Sequence, residues 1–292
     1  MKNYLSLIKF SHTIFAMPFA LVGFTLGIYE SQSSVDWRIF LCIVLCMIFA
    51  RSAAMAFNRY LDRDIDVKNP RTVVREIPAG VIAPTAALSF VIINSLLFMA
   101  TTWFINLLCF FLSPIALLVI LGYSYTKRFT FLCHFVLGLG LALAPLGAYL
   151  AVTGHFDILP ILYSAVVLLW VSGFDIIYAL QDEEFDKSLN LNSVPVKLGK
   201  KVALQLSNIL HFAAAVMLVL AVWTLNIPKG VNEGVAFGWV HWLGTLTFIS
   251  LLFYQHTLVK VNDLSNVNLA FFTTNGIASV IYGSFFIIDY LF

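Results

Sequence analysis

Between Glu76 and Lys127 the chain runs for 50 residues without one formally charged side chain. A helix crosses the hydrocarbon core of a bilayer with about 20 apolar residues, so this stretch is too long for one crossing and long enough for two. The rest of the chain repeats the pattern. Uncharged segments recur at Phe10–Tyr29, Phe129–Phe156, Val202–Pro228, Gly234–Val259 and Leu264–Ile288. Two more, Ile39–Phe57 and Ile158–Gln181, are interrupted only by Arg51 and by Asp175. Charged residues make up 11% of the 292, against about 25% in soluble domains. The expected fold is all-α, a polytopic membrane bundle of about nine transmembrane helices around a central cavity, in one domain over residues 1–292. A break near Asn106 divides the long run, and Pro78, Gly80 and Pro84 precede its first helix.

The same apolar excess excludes disorder. Seventeen basic against 15 acidic residues is too even for a nucleic-acid-binding face. Cys42, Cys46, Cys109 and Cys133 lie in apolar runs without a CxxC pair and read as small hydrophobes. Phe10–Tyr29 is longer than the apolar region of a signal peptide, about 7–15 residues, and reads as a retained first span.

Threading nine spans sorts the basic residues. Lys2, Lys9, Arg59, Arg63, Lys68, Arg71, Arg75, Lys127, Arg128, Lys187, Lys197, Lys200, Lys201 and Lys260 fall on one side, with Arg51 close to it, and only Arg38 and Lys229 on the other. That bias places the N-terminus on the cytoplasmic side, in a bacterial inner membrane, and the C-terminus outside. Two long charged loops, residues 58–84 and 181–201, share the cytoplasmic side, and the chemistry is expected there.

In the first loop Asn58, Asp62 and Asp66 stand at i, i+4 and i+8, which stacks them on one helix face. Into the second run Asp175, Tyr178, Asp182 and Asp186 at i, i+3, i+7 and i+11. The D-x3-D device thus occurs twice, each time at the cytoplasmic end of a span, as in a weak internal repeat. Stacked like charges repel, more so near lipid, and call for a cation. Oxygen donors without His or Cys suit a hard ion, Mg²⁺ before Ca²⁺, and Mg²⁺ commonly shares its sphere with substrate phosphates. Arg71, Arg75, Lys127 and Arg128 on the same side complete a candidate diphosphate site. The bland alternative, acids that solvate the loops and pair with neighbouring arginines, fits one such motif better than two on matching spans.

Asn58-x3-Asp62-x3-Asp66, followed by Lys68-Asn-Pro-Arg71-Thr and Arg75-x-x-Pro78-x-Gly80, resembles the first signature of the UbiA superfamily of intramembrane aromatic prenyltransferases. Tyr178-Ala-Leu-Gln-Asp182-x3-Asp186 resembles the second. Tyr123-Ser-Tyr-Thr-Lys127-Arg128 is similar to the family's Y-P-x-x-K-R stretch, with Ser124 where proline is common. The opening Ile8-Lys-Phe-Ser-His12 and the Tyr-Ala-Leu-Gln-Asp form look most like the 4-hydroxybenzoate polyprenyltransferase branch, which includes relatives in menaquinone synthesis through futalosine. The resemblance implies that Asn58, Asp62 and Asp66 hold one Mg²⁺ and Asp182 and Asp186 a second, both on the diphosphate of a polyprenyl donor. It implies further that Lys127, Arg71 and Arg75 neutralise the leaving group while an aromatic acid attacks the allylic cation, in ubiquinone or menaquinone synthesis. Membrane lipid would surround the bundle and the donor tail.

Three side chains keep two readings each. Arg51, at i−7 from Asn58, either binds the acceptor carboxylate or pairs with Asp175, which is equally deep. Tyr178 either steadies the cation through its ring or packs. His12 either meets substrate or is a satisfied core histidine. Two rival classes are weaker. A CDP-alcohol phosphotransferase needs an Asp-Gly dipeptide in its motif, and the sequence has none. A transporter using Asp175 and Arg51 as midplane charges would not need two carboxylate pairs at the rim.

Overall fold

The computed structural model describes residues 2–7, 16–227 and 238–292. The elements in order are α1 (Lys2–Leu7), α2 (Met17–Ser31), α3 (Trp37–Leu61), α4 (Arg63–Asp66), α5 (Pro84–Ile105), α6 (Leu107–Thr126), α7 (Cys133–Thr153), α8 (Ile158–Ala179), α9 (Glu183–Ser188), α10 (Val194–Leu225), α11 (Trp239–Leu258) and α12 (Asn275–Leu291). A 3₁₀ turn, Leu180–Asp182, joins α8 to α9, and a π-helical segment, Leu269–Thr274, leads into α12. Among the described residues there is no strand, only an isolated bridge between Lys260 and Asp263.

Boundaries follow local chemistry. The Asp36 carboxylate accepts the amides of Arg38 and Ile39, at 2.8 and 3.3 Å, and so starts α3. Asn106 is extended, and its side chain accepts the Cys109 amide at 2.8 Å, capping α6 and dividing the 50-residue run where the sequence places the break. Asp157 caps α8 and Ser193 caps α10 in the same way. Gly199, at φ 78°, interrupts α10, so the seventh long helix begins at Val194 and turns before running on to Leu225.

Nine of the described helices have fifteen or more residues. Seven segments are long and apolar enough to cross a membrane. They match every expected crossing except the first and the eighth, which correspond to α2, described over 15 residues, and to α11, which carries His241, Gln255 and His256 among its apolar residues. His12 lies outside the described residues. Large apolar side chains such as Trp103, Phe104, Phe111, Leu118, Ile209 and Trp223 stand exposed on the outer surface, as a lipid-facing bundle requires.

Packing differs around the bundle. Phe19, Trp170, Phe248 and Tyr282 interlock with ring centroids 5.3–5.9 Å apart and tie α2, α8, α11 and α12 into a solid core. Opposite them, α3, α5, α6 and α7 enclose a cavity of about 330 Å³. Between the two regions α8 packs closely on both flanks, against α7 and α10. A Cβ on Gly138 of α7 would lie 2.6 Å from the Leu168 carbonyl oxygen, and one on Gly173 of α8 would lie 2.4 Å from His211 Nε2. Association in lipid relies on such close backbone approach, because burying apolar surface gives little gain there.

Candidate active site

The acidic ends of α3 and α8 meet at one end of the bundle, over the cavity. Neither motif is a continuous helix. Asp62 ends α3 with φ −87° and ψ 5°, and Asp66 closes the separate turn α4. In the second motif α8 ends at Ala179, the 3₁₀ turn brings up Asp182, and Asp186 rides on α9. The expected unbroken helical face is therefore corrected: the first motif is interrupted at Asp62 and the second between Ala179 and Glu183.

The carboxylates are covered by cations of the chain. Asp62, 2% exposed, accepts from Lys127 Nζ at 3.0 Å, Arg128 Nη2 at 3.1 Å and Asn58 Nδ2 at 3.2 Å. Arg128 also donates to the Leu61 carbonyl at 2.9 Å, which stitches the end of α6 to the end of α3. Asp66, 4% exposed, takes Arg75 Nη1 on both oxygens at 2.8 and 2.9 Å. Arg71 bridges the motifs: it donates to Tyr178 Oη at 2.7 Å and makes an ion pair with Asp182. Asp186 is half-buried and lies in the electrostatic field of Lys127, Asp182 and Asp62, so all four motif aspartates belong to one charged rim. Tyr178 stacks on Phe271 at 4.2 Å, with the Arg71 guanidinium carbon 5.3 Å from its ring. Its ring is thus engaged by packing and by a chain cation.

Below the rim, the cavity is lined almost entirely by apolar groups, among them Met47, Phe98, Leu112, Leu141, Leu146 and Phe156. Arg51 is the one formally charged side chain among its described lining residues, and its Nε has no hydrogen-bond partner there. Of the two readings for Arg51, the pair with Asp175 is absent among the described residues, because Asp175 is held by His134 Nδ1 at 2.7 Å. Tyr123 lines the cavity with Arg51 and interacts electrostatically with Arg51, Asp62 and Asp175.

The structure thus gathers Asn58, Asp62, Asp66, Arg71, Arg75, Lys127, Arg128, Tyr178, Asp182 and Asp186 at the rim, with Arg51 in the cavity and Asp175 beneath its own motif. One neighbour of the site, His134, escaped the sequence argument, and a second, Tyr123, entered it only as part of a motif. His134 is a lone histidine in an apolar run, 41 positions from its partner, and has no periodic signal. Tyr123 had a signal, its place four residues before Lys127 at the end of a span.

The chain matches the UbiA prenyltransferase family over residues 16–277. It is 30% identical over 264 residues to a 4-hydroxybenzoate octaprenyltransferase of Herminiimonas arsenicoxydans, covering 89% of this chain and 88% of that one. Among solved structures, the apo form of a UbiA homologue from Aeropyrum pernix K1 superposes with a TM-score of 0.82 at 29% identity, over 95% of this chain and 98% of that one. A homologue from Archaeoglobus fulgidus bound to DMAPP and Mg²⁺ shares the fold with a TM-score of 0.75 at 21% identity, over 99% of both chains.

Proposed function

Because the chain belongs to the UbiA prenyltransferase family, we propose that it moves a polyprenyl group from its diphosphate onto a ring carbon of an aromatic acid of the 4-hydroxybenzoate class, in quinone synthesis. One observation carries the reading: a rim of four aspartates and four cations stands at the ends of α3 and α6, whose Arg51 and Tyr123 line an apolar cavity in which Arg51 is the one formally charged described lining group and its Nε has no hydrogen-bond partner among the described residues. The rim suits a diphosphate, the cavity walls suit an isoprenoid tail, and Arg51 suits a carboxylate.

Among the described residues no metal cage is preformed. The donor set nevertheless fits Mg²⁺. Asn58, Asp62, Asp66, Asp182 and Asp186 offer oxygen only, and the buried Asp62 and Asp66 each already hold positive charge, as a divalent ion's ligands must. Bound Mg²⁺ would neutralise the diphosphate as the allylic C–O bond ionises. On this reading Arg71, Arg75, Lys127 and Arg128 turn from the carboxylates to the diphosphate oxygens when metal and donor enter together. The apolar walls keep water from the cation, which it would quench. Arg51 orients the acceptor by its carboxylate, with the ring towards the rim.

Both motif ends are placed on the cytoplasmic side by the positive-inside balance. A cysteine at Lys68 or Ser188 should resist an impermeant thiol reagent in intact cells, while one at Ser33 should react; the reverse pattern overturns the orientation. The function is tested with purified protein, Mg²⁺, geranyl diphosphate and 4-hydroxybenzoate. The expected product carries the prenyl group ortho to the hydroxyl. Release of diphosphate without a prenylated ring would keep the donor half of the reading and reject the acceptor, pointing to another aromatic acceptor.

A further inference from the structure

His134 and Asp175 form a polar pair set apart from the ion pairs of the rim. His134 is 3% exposed, and its Nδ1 lies 2.7 Å from Asp175 Oδ2. At the other edge of the ring the Val194 amide donates to Nε2 at 3.3 Å. With Nε2 facing the Val194 amide, Nδ1 is the ring nitrogen aimed at the carboxylate. Contacts from Asp175 on α8 and from the start of α10 thus hold both edges of one imidazole on α7.

Asp175 keeps one oxygen unclaimed. Oδ2 is taken by His134, and no hydrogen bond to Oδ1 occurs among the described residues. The Asp175 side chain is 21% exposed and that of His134 only 4%, so the carboxylate is the more open member of the pair. Asp175 lies two turns below Asp182 and acts electrostatically on Tyr123, as do Arg51 and Asp62. Asp175, Asp62 of the rim and Arg51 of the cavity thus share Tyr123 as a neighbour. The carboxylate is held by an imidazole, with no arginine or lysine paired to it among the described residues.

Resting on the function proposed above, we propose that Asp175 is the base that takes the ring proton during prenyl transfer, with His134 as the positioning residue that holds it. An acceptor with its carboxylate on Arg51 has its ring at this level. The ring carbon ortho to the hydroxyl bonds to C1 of the allylic cation, the diphosphate having left with the C–O electron pair. That carbon is then sp³ and still carries its hydrogen. Asp175 Oδ1 accepts the proton, the C–H electron pair returns to the ring, and Asp175 passes the proton to water at the rim. The His134 N–H favours the ionised form of Asp175 and keeps Oδ1 turned to the ring.

The test uses the full chain, geranyl diphosphate, Mg²⁺, and 4-hydroxybenzoate deuterated at both carbons ortho to the hydroxyl. If ionisation limits the wild type, its turnover shows no primary isotope effect. Asp175→Asn should fall by about 10²–10⁴-fold and acquire one, because proton removal becomes limiting. His134→Leu should fall less and also acquire the effect, and His134→Gln, which offers an N–H towards Asp175, should recover most of the loss. Melting in detergent is followed for each variant. Full turnover in Asp175→Asn, a loss without an isotope effect in the folded variants, or a His134→Gln no better than His134→Leu overturns the assignment. A wild type that gives no prenylated ring rejects the proposed acceptor, and the assignment with it.

Discussion

The two helices that carry the acidic motifs are held in opposite ways. α8 is enclosed along its length by α7, α10 and the aromatic core, yet its aspartates emerge half-buried, Asp182 on Arg71 and Asp186 on no ion pair within the described residues. α3 borders the cavity and has few buried side chains, yet Asp62 and Asp66 are nearly closed to solvent and clasped by Lys127, Arg128 and Arg75. The second motif is placed by helix packing and the first by ion pairs. The site therefore combines a rigid wall with one that is kept in register by its own charges.

That contrast breaks most visibly at the aspartates. Asp62→Asn and Asp182→Asn should each reduce prenyl transfer by at least about 10²-fold, since both remove a carboxylate that would hold the Mg²⁺ neutralising the leaving group. They should separate in stability. Asp62→Asn strands two cations beside a buried amide and should melt clearly lower in detergent, while Asp182→Asn, on the packed helix, should melt near the wild type. Equal melting temperatures would show that ion pairs do not hold the first motif. Near-normal turnover in either variant at saturating Mg²⁺ would remove that motif from the site.

A smaller effect is expected inside the cavity. Arg51→Leu should raise the acceptor KM about tenfold or more and leave the donor KM close to its starting value, as expected for loss of one charged hydrogen bond worth about 1.5–3 kcal/mol. Because Asp175 already has His134, this variant should fold normally. An unchanged acceptor KM in folded protein would move the carboxylate contact to another donor. Smallest of all, Tyr178→Phe removes the hydroxyl between Arg71 and the second motif and should cost about 1 kcal/mol, roughly fivefold in turnover, with stacking on Phe271 retained. A loss as large as that of Asp182→Asn would mean that the ring hydroxyl has a part in the chemistry.

The legible part of this molecule was whatever depends on composition and short spacing. Uncharged runs located the long helices, Asn106 marked its own break, and the four basic residues named beside the acids do lie against them or against their carbonyls. The straight acidic face was misread, because a count of i, i+4, i+8 assumes an unbroken helix, and the chain stops α3 at Leu61 and α8 at Ala179. Arg51 and Asp175 looked like partners because depth along a span can be counted. Direction around the bundle cannot be, and it gave Asp175 to His134 instead. A central cavity was expected, but the residues that line it had no signal of their own, since its apolar lining has the composition of a lipid-facing surface.

Gly138 of α7 and Gly173 of α8 let α7 and α10 press on α8 from either side, and both lie within two turns of Asp175 or His134 along their helices. A methyl group at Gly138 would meet the Leu168 carbonyl at 2.6 Å where ordinary contact begins near 3.4 Å, so the helices would have to part by about 0.8 Å. Displacements near 1 Å can cost about 10²-fold in rate when reacting groups must be aligned. Two hydrogen atoms, neither of them in the reaction, thus act as the molecule's spacers: they set the gauge between a carboxylate deep in the bundle and the charged rim above it.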